Sequence, residues 1–134
     1  MKTVFVDTNI ILDVLLQNEG LWQDSARIFR LAEHGELQAC VSASSLTDVF
    51  YIARKRLTVP VARAAIGKLL DLFTVVGVDA DDLRGALSLP IADVEDALQA
   101  WCAKKVSADT LITRNVNDFP GIGIPIVSPA DFSA

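Results

Sequence analysis

Val4-Phe5-Val6-Asp7-Thr8-Asn9-Ile10-Ile11-Leu12-Asp13 is the stretch whose reading decides the fold. Val4 to Val6 is wholly apolar, largely β-branched, and ends at a polar residue, the pattern of a central parallel strand covered on both faces. From Asn9 to Gln17 the apolar residues Ile10, Ile11, Val14 and Leu15 recur at helical spacing, and Asn18-Glu19-Gly20 stops the run. The chain therefore begins as a strand, an acid at its carboxyl end, and a helix.

The same alternation continues outward. A second helix spans about Gln23 to Glu33 and breaks at Gly35, and Leu37 to Val41 reads as strand two. Ser42 to Ser45 can cap a helix carrying Leu46, Val49, Phe50 and Ile52, which finishes in Arg54-Lys55-Arg56, where positive charge suits the helix dipole. Thr58 to Asp71 is a further amphipathic helix with Pro60 in its first turn. Phe73 to Val78 is strand three, Leu83 to Leu89 a helix ended by Pro90, Asp93 to Lys105 the next helix, Thr110 to Thr113 strand four, and Pro125 to Val127 a weak fifth strand. Strands alternating with helices predict an α/β fold, a three-layer α/β/α sandwich around a mostly parallel sheet of about five strands.

At 134 residues the chain fits one domain, residues 1–134. Apolar residues make up 51% and charged residues 22%, which excludes disorder and low-complexity behaviour. A net charge of −5 excludes nucleic-acid binding through a broad basic surface, so a polyanionic substrate would need the help of a cation. Cys40 and Cys102 form no metal-binding motif and read as small buried residues. The one histidine, His34, lies in a helix-ending turn, which sets aside Ser-His-Asp catalysis. No apolar run reaches the length of a membrane span, and the expected location is cytoplasmic.

Carboxylates remain. Of 17 acidic residues 13 are Asp, a poor helix former that has to be placed for another reason. Asp24, Asp79, Asp81, Asp82 and Asp131 read as helix-start residues, the last within a capping box, Ser128-Pro129-Ala130-Asp131. In an open parallel sheet ligands bind beyond the carboxyl ends of the strands at a switch in strand order. Asp7 ends strand one and Asp118 follows strand four, so both can reach that edge, whereas Asp109 precedes strand four and belongs at the opposite one. Asp93 and Asp96 lie one helical turn apart, with Glu95 directed elsewhere. The apolar set Val94, Ala97, Leu98 and Trp101 marks the buried side of that helix, and Asp96 falls opposite, flanked by Ala100 and Ala103. This pattern fits either a solvated helix face or a ligand pair; Asp48 fits either a first-turn cap or a ligand.

Four segments together resemble the PIN-domain nucleases: Val6-Asp7-Thr8-Asn9-Ile10-Ile11-Leu12-Asp13, Ser44-Ser45-Leu46-Thr47-Asp48, Asp93-Val94-Glu95-Asp96-Ala97-Leu98, and Ile112-Thr113-Arg114-Asn115-Val116-Asn117-Asp118-Phe119. In length and motif order the small stand-alone members, VapC-like toxins of toxin–antitoxin pairs, are most similar, over nearly the whole chain. The resemblance implies that Asp7, Asp48, Asp96 and Asp118 form a metal-binding quartet with Asp93 as a fifth candidate, and that Thr8, Asn9, Thr113 and Asn115 orient ligands or water. Asp48 stands where the family often has the longer Glu, and Asn115 where many relatives have a further Asp. Asp13 matches a common family acid, but its place on the polar side of helix one favours solvation.

Four like charges at one edge raise one another's pKa, a conflict that bound cations resolve. Mg2+ or Mn2+ prefers carboxylate oxygen and water, and a pair of such ions about 4 Å apart can act on both sides of a phosphodiester. Arg114 is the best-placed phosphate contact, with Lys104 and Lys105 behind it, although helix-end or loop solvation explains them equally well. The expectation is a metal-dependent endoribonuclease with an RNA substrate, a cognate antitoxin and, from the high apolar content, a homodimer interface, without a membrane association. The alternative is a catalytically silent PIN-like binding module. An aspartate-nucleophile phosphatase would need a second Asp where Asn9 stands, and a receiver domain an acidic pair where only Asp7 does.

Overall fold

The computed structural model describes residues 1–134. Five strands, β1 (Lys2–Val6), β2 (Leu37–Ser42), β3 (Thr74–Val76), β4 (Thr110–Ile112) and β5 (Ile126–Val127), form one sheet in the order β3-β2-β1-β4-β5. Every pairing is parallel. Six helices connect them: α1 (Thr8–Leu15), α2 (Trp22–Glu33), α3 (Ala43–Arg56), α4 (Val59–Leu72), α5 (Ala80–Leu87) and α6 (Val94–Lys105). The three-layer α/β/α architecture expected from the alternation is the one observed.

Alternate residues of the central strands face opposite layers, as the pleat requires. Val4 and Val6 of β1 and Ile112 of β4 join Ile10, Ile28, Val49 and Leu69 in the core under α1 to α4. Phe5 and Leu111 point the other way and join Ala86, Ala97, Leu98, Ala100 and Ala103 under α5 and α6. The small side chains of α6 let that helix lie close to the strands, so Ala100 and Ala103 are fully buried. Val94, expected on the buried side, is 49% exposed.

The helix starts follow the sequence closely. Ser42 caps α3, Thr58 caps α4 with Pro60 in the first turn, and Asp79 and Asp82 form a reciprocal capping box on α5. Three expectations change. Helix α5 begins at Ala80, not Leu83, because the Asp79–Asp82 capping box starts it there, and it ends at Leu87. Strand three ends at Val76, because its partner β2 ends at Ser42 opposite it and the Gly77 carbonyl accepts instead from Lys105 Nζ at 3.2 Å. Ser128 to Asp131 forms a single turn rather than a helix, with the Asp131 and Phe132 amides both donating to the Ser128 carbonyl.

The α5–α6 pair is locked by an interior cluster. Asp82, 5% exposed, accepts from Trp101 Nε1 at 3.1 Å and from Lys105 Nζ at 3.0 Å, and these bonds hold its carboxyl down at a pKa of about 2. The Trp101 ring lies directly on Gly85, where an added methyl would overlap the indole. Gly→Ala within a helix ordinarily gains about 1 kcal/mol, but overpacking costs about 1–3 kcal/mol. Gly85→Ala is therefore expected to lower the thermal midpoint by several degrees; a rise would show that the α5–α6 contact is loose.

Candidate functional site

The strand order reverses between β1 and β4, both flanked by strands running the same way, and the carboxyl ends of these two strands form the crevice favoured for ligands. Asp7 emerges there. Its amide donates to the Ile112 carbonyl at 3.0 Å, which sets it beside Thr113. One carboxylate oxygen of Asp7 accepts from the Thr8 amide at 2.7 Å as the cap of α1, and the other from Thr113 Oγ1 at 2.8 Å. Thr113 Oγ1 in turn accepts from the Asn115 amide at 3.0 Å and from Asn9 Nδ2 at 3.5 Å. The four polar residues the resemblance names as orienting groups thus include two, Thr8 and Thr113, that touch Asp7 directly.

Asp7 is only 6% exposed. Burial raises its pKa, opposed by the Thr113 and Thr8 hydrogen bonds and the charge of Arg114, and reinforced by Asp118. Asp118 rides on a one-turn 3-10 helix, Val116–Asp118, that follows β4. Asp96, in the first turn of α6, has a pKa pushed up to about 6 by burial and then by the charges of Asp93, Asp7 and Asp118. Asp93 caps α6 through the Asp96 amide at 2.9 Å. Asp7, Asp118 and the Asp93–Asp96 pair, from three separate segments, therefore share one electrostatic neighbourhood.

Asp48 lies in the second turn of α3 and meets Glu95 rather than the other aspartates. The two carboxyls share a hydrogen bond, which requires one to carry a proton, and this pushes the Glu95 pKa up to about 7, with burial and the charges of Asp48, Asp93 and Asp96 adding to it. Glu95, expected to face elsewhere, is thus part of the acidic edge. No three acids stand close enough together to enclose a cation as their side chains lie.

Asp13 also departs from expectation. It is fully buried, receives Asn18 Nδ2 at 2.8 Å, and lies 2.7 Å from Arg114 Nε. The polar side of α1 faces the loop after β4, so Asp13 is an ion-pair partner and not a solvated group. The same contact engages Arg114, whose side chain is 37% exposed. Lys105 turns inward to Asp82, away from any substrate, while Arg54 and Lys55 stack on Tyr51 at 4.3 and 5.0 Å from the ring centre.

Gln99 was invisible as a site residue: 3% exposed on α6, its amide reaches both Thr8 and Ser45. A polar residue amid Ala97, Leu98 and Ala100 was the available signal.

The family model of the PIN domain matches residues 3–117, from β1 through Asn117. The chain belongs to the PIN domain family. No curated protein matches it. Among solved structures, this PIN domain is similar to the DNA-bound VapBC of Salmonella typhimurium, with 20% identity, a TM-score of 0.71, and coverage of 96% of this chain and 99% of that one. A toxin–antitoxin complex from Klebsiella pneumoniae matches with 23% identity, a TM-score of 0.69, and coverage of 94% and 97%. VapC20 of Mycobacterium tuberculosis, a sarcin–ricin loop cleaving toxin, matches with 17% identity, a TM-score of 0.64, and coverage of 81% and 86%. At these identities the likeness establishes the PIN fold.

Removing Arg114 would leave the buried Asp13 charge with Asn18 as its partner. Breaking a buried pair costs about 3–5 kcal/mol, and the partial exposure of Arg114 places the expected loss for Arg114→Ala near the lower end, about 3 kcal/mol. Denaturant unfolding checks this: Asp13→Asn combined with Arg114→Ala should recover part of the loss, and an unchanged stability in Arg114→Ala would mean the pairing contributes nothing.

Proposed function

We propose that this PIN domain is a Mg2+- or Mn2+-dependent endoribonuclease, the toxin of a toxin–antitoxin pair. The observation that carries this reading is the gathering of Asp7, Asp93, Asp96 and Asp118 at the switch point of the sheet, with the Asp96 pKa pushed up to about 6 by burial and by these neighbours. The donor set is all carboxylate oxygen, which suits a hard divalent cation.

Asp7, Asp48, Asp96 and Asp118 would hold the cations, with Asp93 beside them and two ions the expected number. When bound, these ions supply concentrated positive charge and Lewis acidity toward a phosphodiester. The chain's own contribution is placement. Thr8 and Thr113 fix both oxygens of Asp7, leaving its orientation little freedom. Asn9 and Asn115 steady Thr113 from behind. Glu95, its pKa pushed up to about 7 beside Asp48, is partly protonated near neutral pH, which limits the negative charge that a phosphate meets on approach. Arg114 would meet substrate phosphate with the part of its guanidinium that Asp13 does not engage.

The M. tuberculosis sarcin–ricin loop cleaving toxin supports RNA as the substrate class, and the complexes from Salmonella and Klebsiella support a cognate antitoxin as partner. An open apolar groove of about 770 Å3 between α1, α2 and α4, lined by Val14, Leu15, Phe29, Val61, Leu69 and Leu72, offers surface for that partner. Tyr51 and Leu70, 57% and 52% exposed, offer more for a second copy of the chain. No helix is long and apolar enough to cross a membrane, and a toxin acting on cellular RNA works in the cytoplasm. A catalytically silent binding module is the second reading, favoured by the open arrangement of the acids and by Asn115.

RNA cleavage in Mg2+ by nuclease-free protein tests the choice. Partners behind the ligands typically contribute 10- to 100-fold, so loss of a ligand itself should lower the rate of Asp96→Asn by about a hundredfold or more. Parental cleavage by Asp96→Asn, or none by the parent in Mg2+ or Mn2+, would overturn the nuclease reading.

A further inference from the structure

Gln99 has a position that core packing alone does not explain. Its neighbours Ala97, Leu98 and Ala100 are buried in the layer beneath α6, and Gln99 itself is 3% exposed. Its amide nitrogen donates to Thr8 Oγ1 at 3.0 Å and to Ser45 Oγ at 2.6 Å. Those two hydroxyls are 2.7 Å apart, which closes a triangle, and Ser45 Oγ lies a further 3.0 Å from Ser42 Oγ at the cap of α3. The amide oxygen, by contrast, is buried without a hydrogen-bond partner. An orphaned buried acceptor counts against folding. Met would fill the same space with no oxygen to satisfy, and the hydroxyls of Thr8 and Ser45 would keep each other.

What the triangle joins gives the glutamine its reason. Thr8 follows Asp7 and holds one of its oxygens through the backbone amide. Ser45 stands one turn before Asp48 on α3, and Gln99 one turn after Asp96 on α6. The broad packing of α6 is against α5 and the strands, and this one amide ties α6 to both α1 and α3. The segments it ties together are those whose carboxylates repel one another.

We propose that Gln99 is a positioning residue for the carboxylate site: its amide fixes the spacing of α1, α3 and α6 and so sets the separation of Asp7, Asp48 and Asp96 for a divalent cation. This rests on the cation-dependent reading of the site. Partners behind a ligand shell set the orientation and affinity of the shell without touching the ion. The amide accordingly serves affinity, and its orphaned oxygen is a loss of stability accepted for placement.

Titration calorimetry of Mn2+ into the full chain and its Gln99→Met variant, with melts recorded free of metal, tests the proposal. The Mn2+ dissociation constant is expected to rise about tenfold or more, while the metal-free midpoint stays within about 2 °C of the parent. Thr8→Ser, which keeps the hydroxyl, should bind Mn2+ like the parent, and Thr8→Val, similar in shape without it, should weaken as Gln99→Met does. A lower midpoint with unchanged Mn2+ affinity would overturn the proposal and make Gln99 a core residue only. Should Gln99→Met fail to fold, or lose stability and affinity together, the Thr8 pair decides: equal affinity for Ser and Val overturns the proposal. A parent chain that binds no Mn2+ overturns the cation reading and this inference with it, whereas a parent that binds while the variants bind equally well overturns this inference alone.

Discussion

Carboxylates brought together at the end of a parallel sheet repel one another, and most of the unusual features of this PIN domain are responses to that repulsion. The topology creates the problem. With β1 and β4 adjacent at the sheet's switch point, the residues that follow both strands and the first turn of α6 are delivered to one edge. Hydrophobic burial on both faces of the sheet holds these elements in place whatever their charges prefer, and Asp7 is buried along with them.

The structure relieves the repulsion in three ways. Hydrogen bonds from Thr8 and Thr113 favour the charged form of Asp7 against the burial that disfavours it. Beside Asp48 the Glu95 pKa is pushed up to about 7, so Glu95 sheds part of its negative charge near neutral pH. Asp13, the acid deepest in α1, is set apart from the cluster by its own cation, Arg114. The charge that stays unrelieved sits on Asp96, which has no hydrogen-bonded partner of its own side chain to offset Asp93, Asp7 and Asp118. Burial and these three neighbours together push its pKa up to about 6.

Local sequence made much of this legible. The apolar run at Val4 to Val6 placed Asp7 at a strand end, and Ser42, Thr58 and Asp79 announced helix starts because capping is a short-range rule. Asp109, assigned to the opposite edge, does hold the Thr3 amide there at 2.8 Å. What could not be read depends on distant partners. The helical wheel of α6 assumed a single buried side, yet the helix packs on both α5 and the sheet, so Val94 faces out while Ala100 and Ala103 face in. Glu95 is turned to use by Asp48, Asp13 by Arg114, and Gln99 by Thr8 and Ser45. Each of these pairings spans dozens of residues, beyond the reach of periodicity. The short β3 likewise follows from where β2 stops.

An acid whose folded pKa lies above its unfolded value stabilises the fold fully below the unfolded value and loses that contribution as pH rises through the folded one. For Asp96 and Glu95 the window runs from about their ordinary 3.8 and 4.5 up to about 6 and 7, so the metal-free domain weakens across it. A carboxyl-carbon NMR titration of these two side chains, with and without Mg2+, is the most direct measurement. The account predicts midpoints near 6 for Asp96 and near 7 for Glu95 in metal-free protein, both moving down when Mg2+ is added. Midpoints at the ordinary 3.8 and 4.5, unmoved by Mg2+, would contradict it.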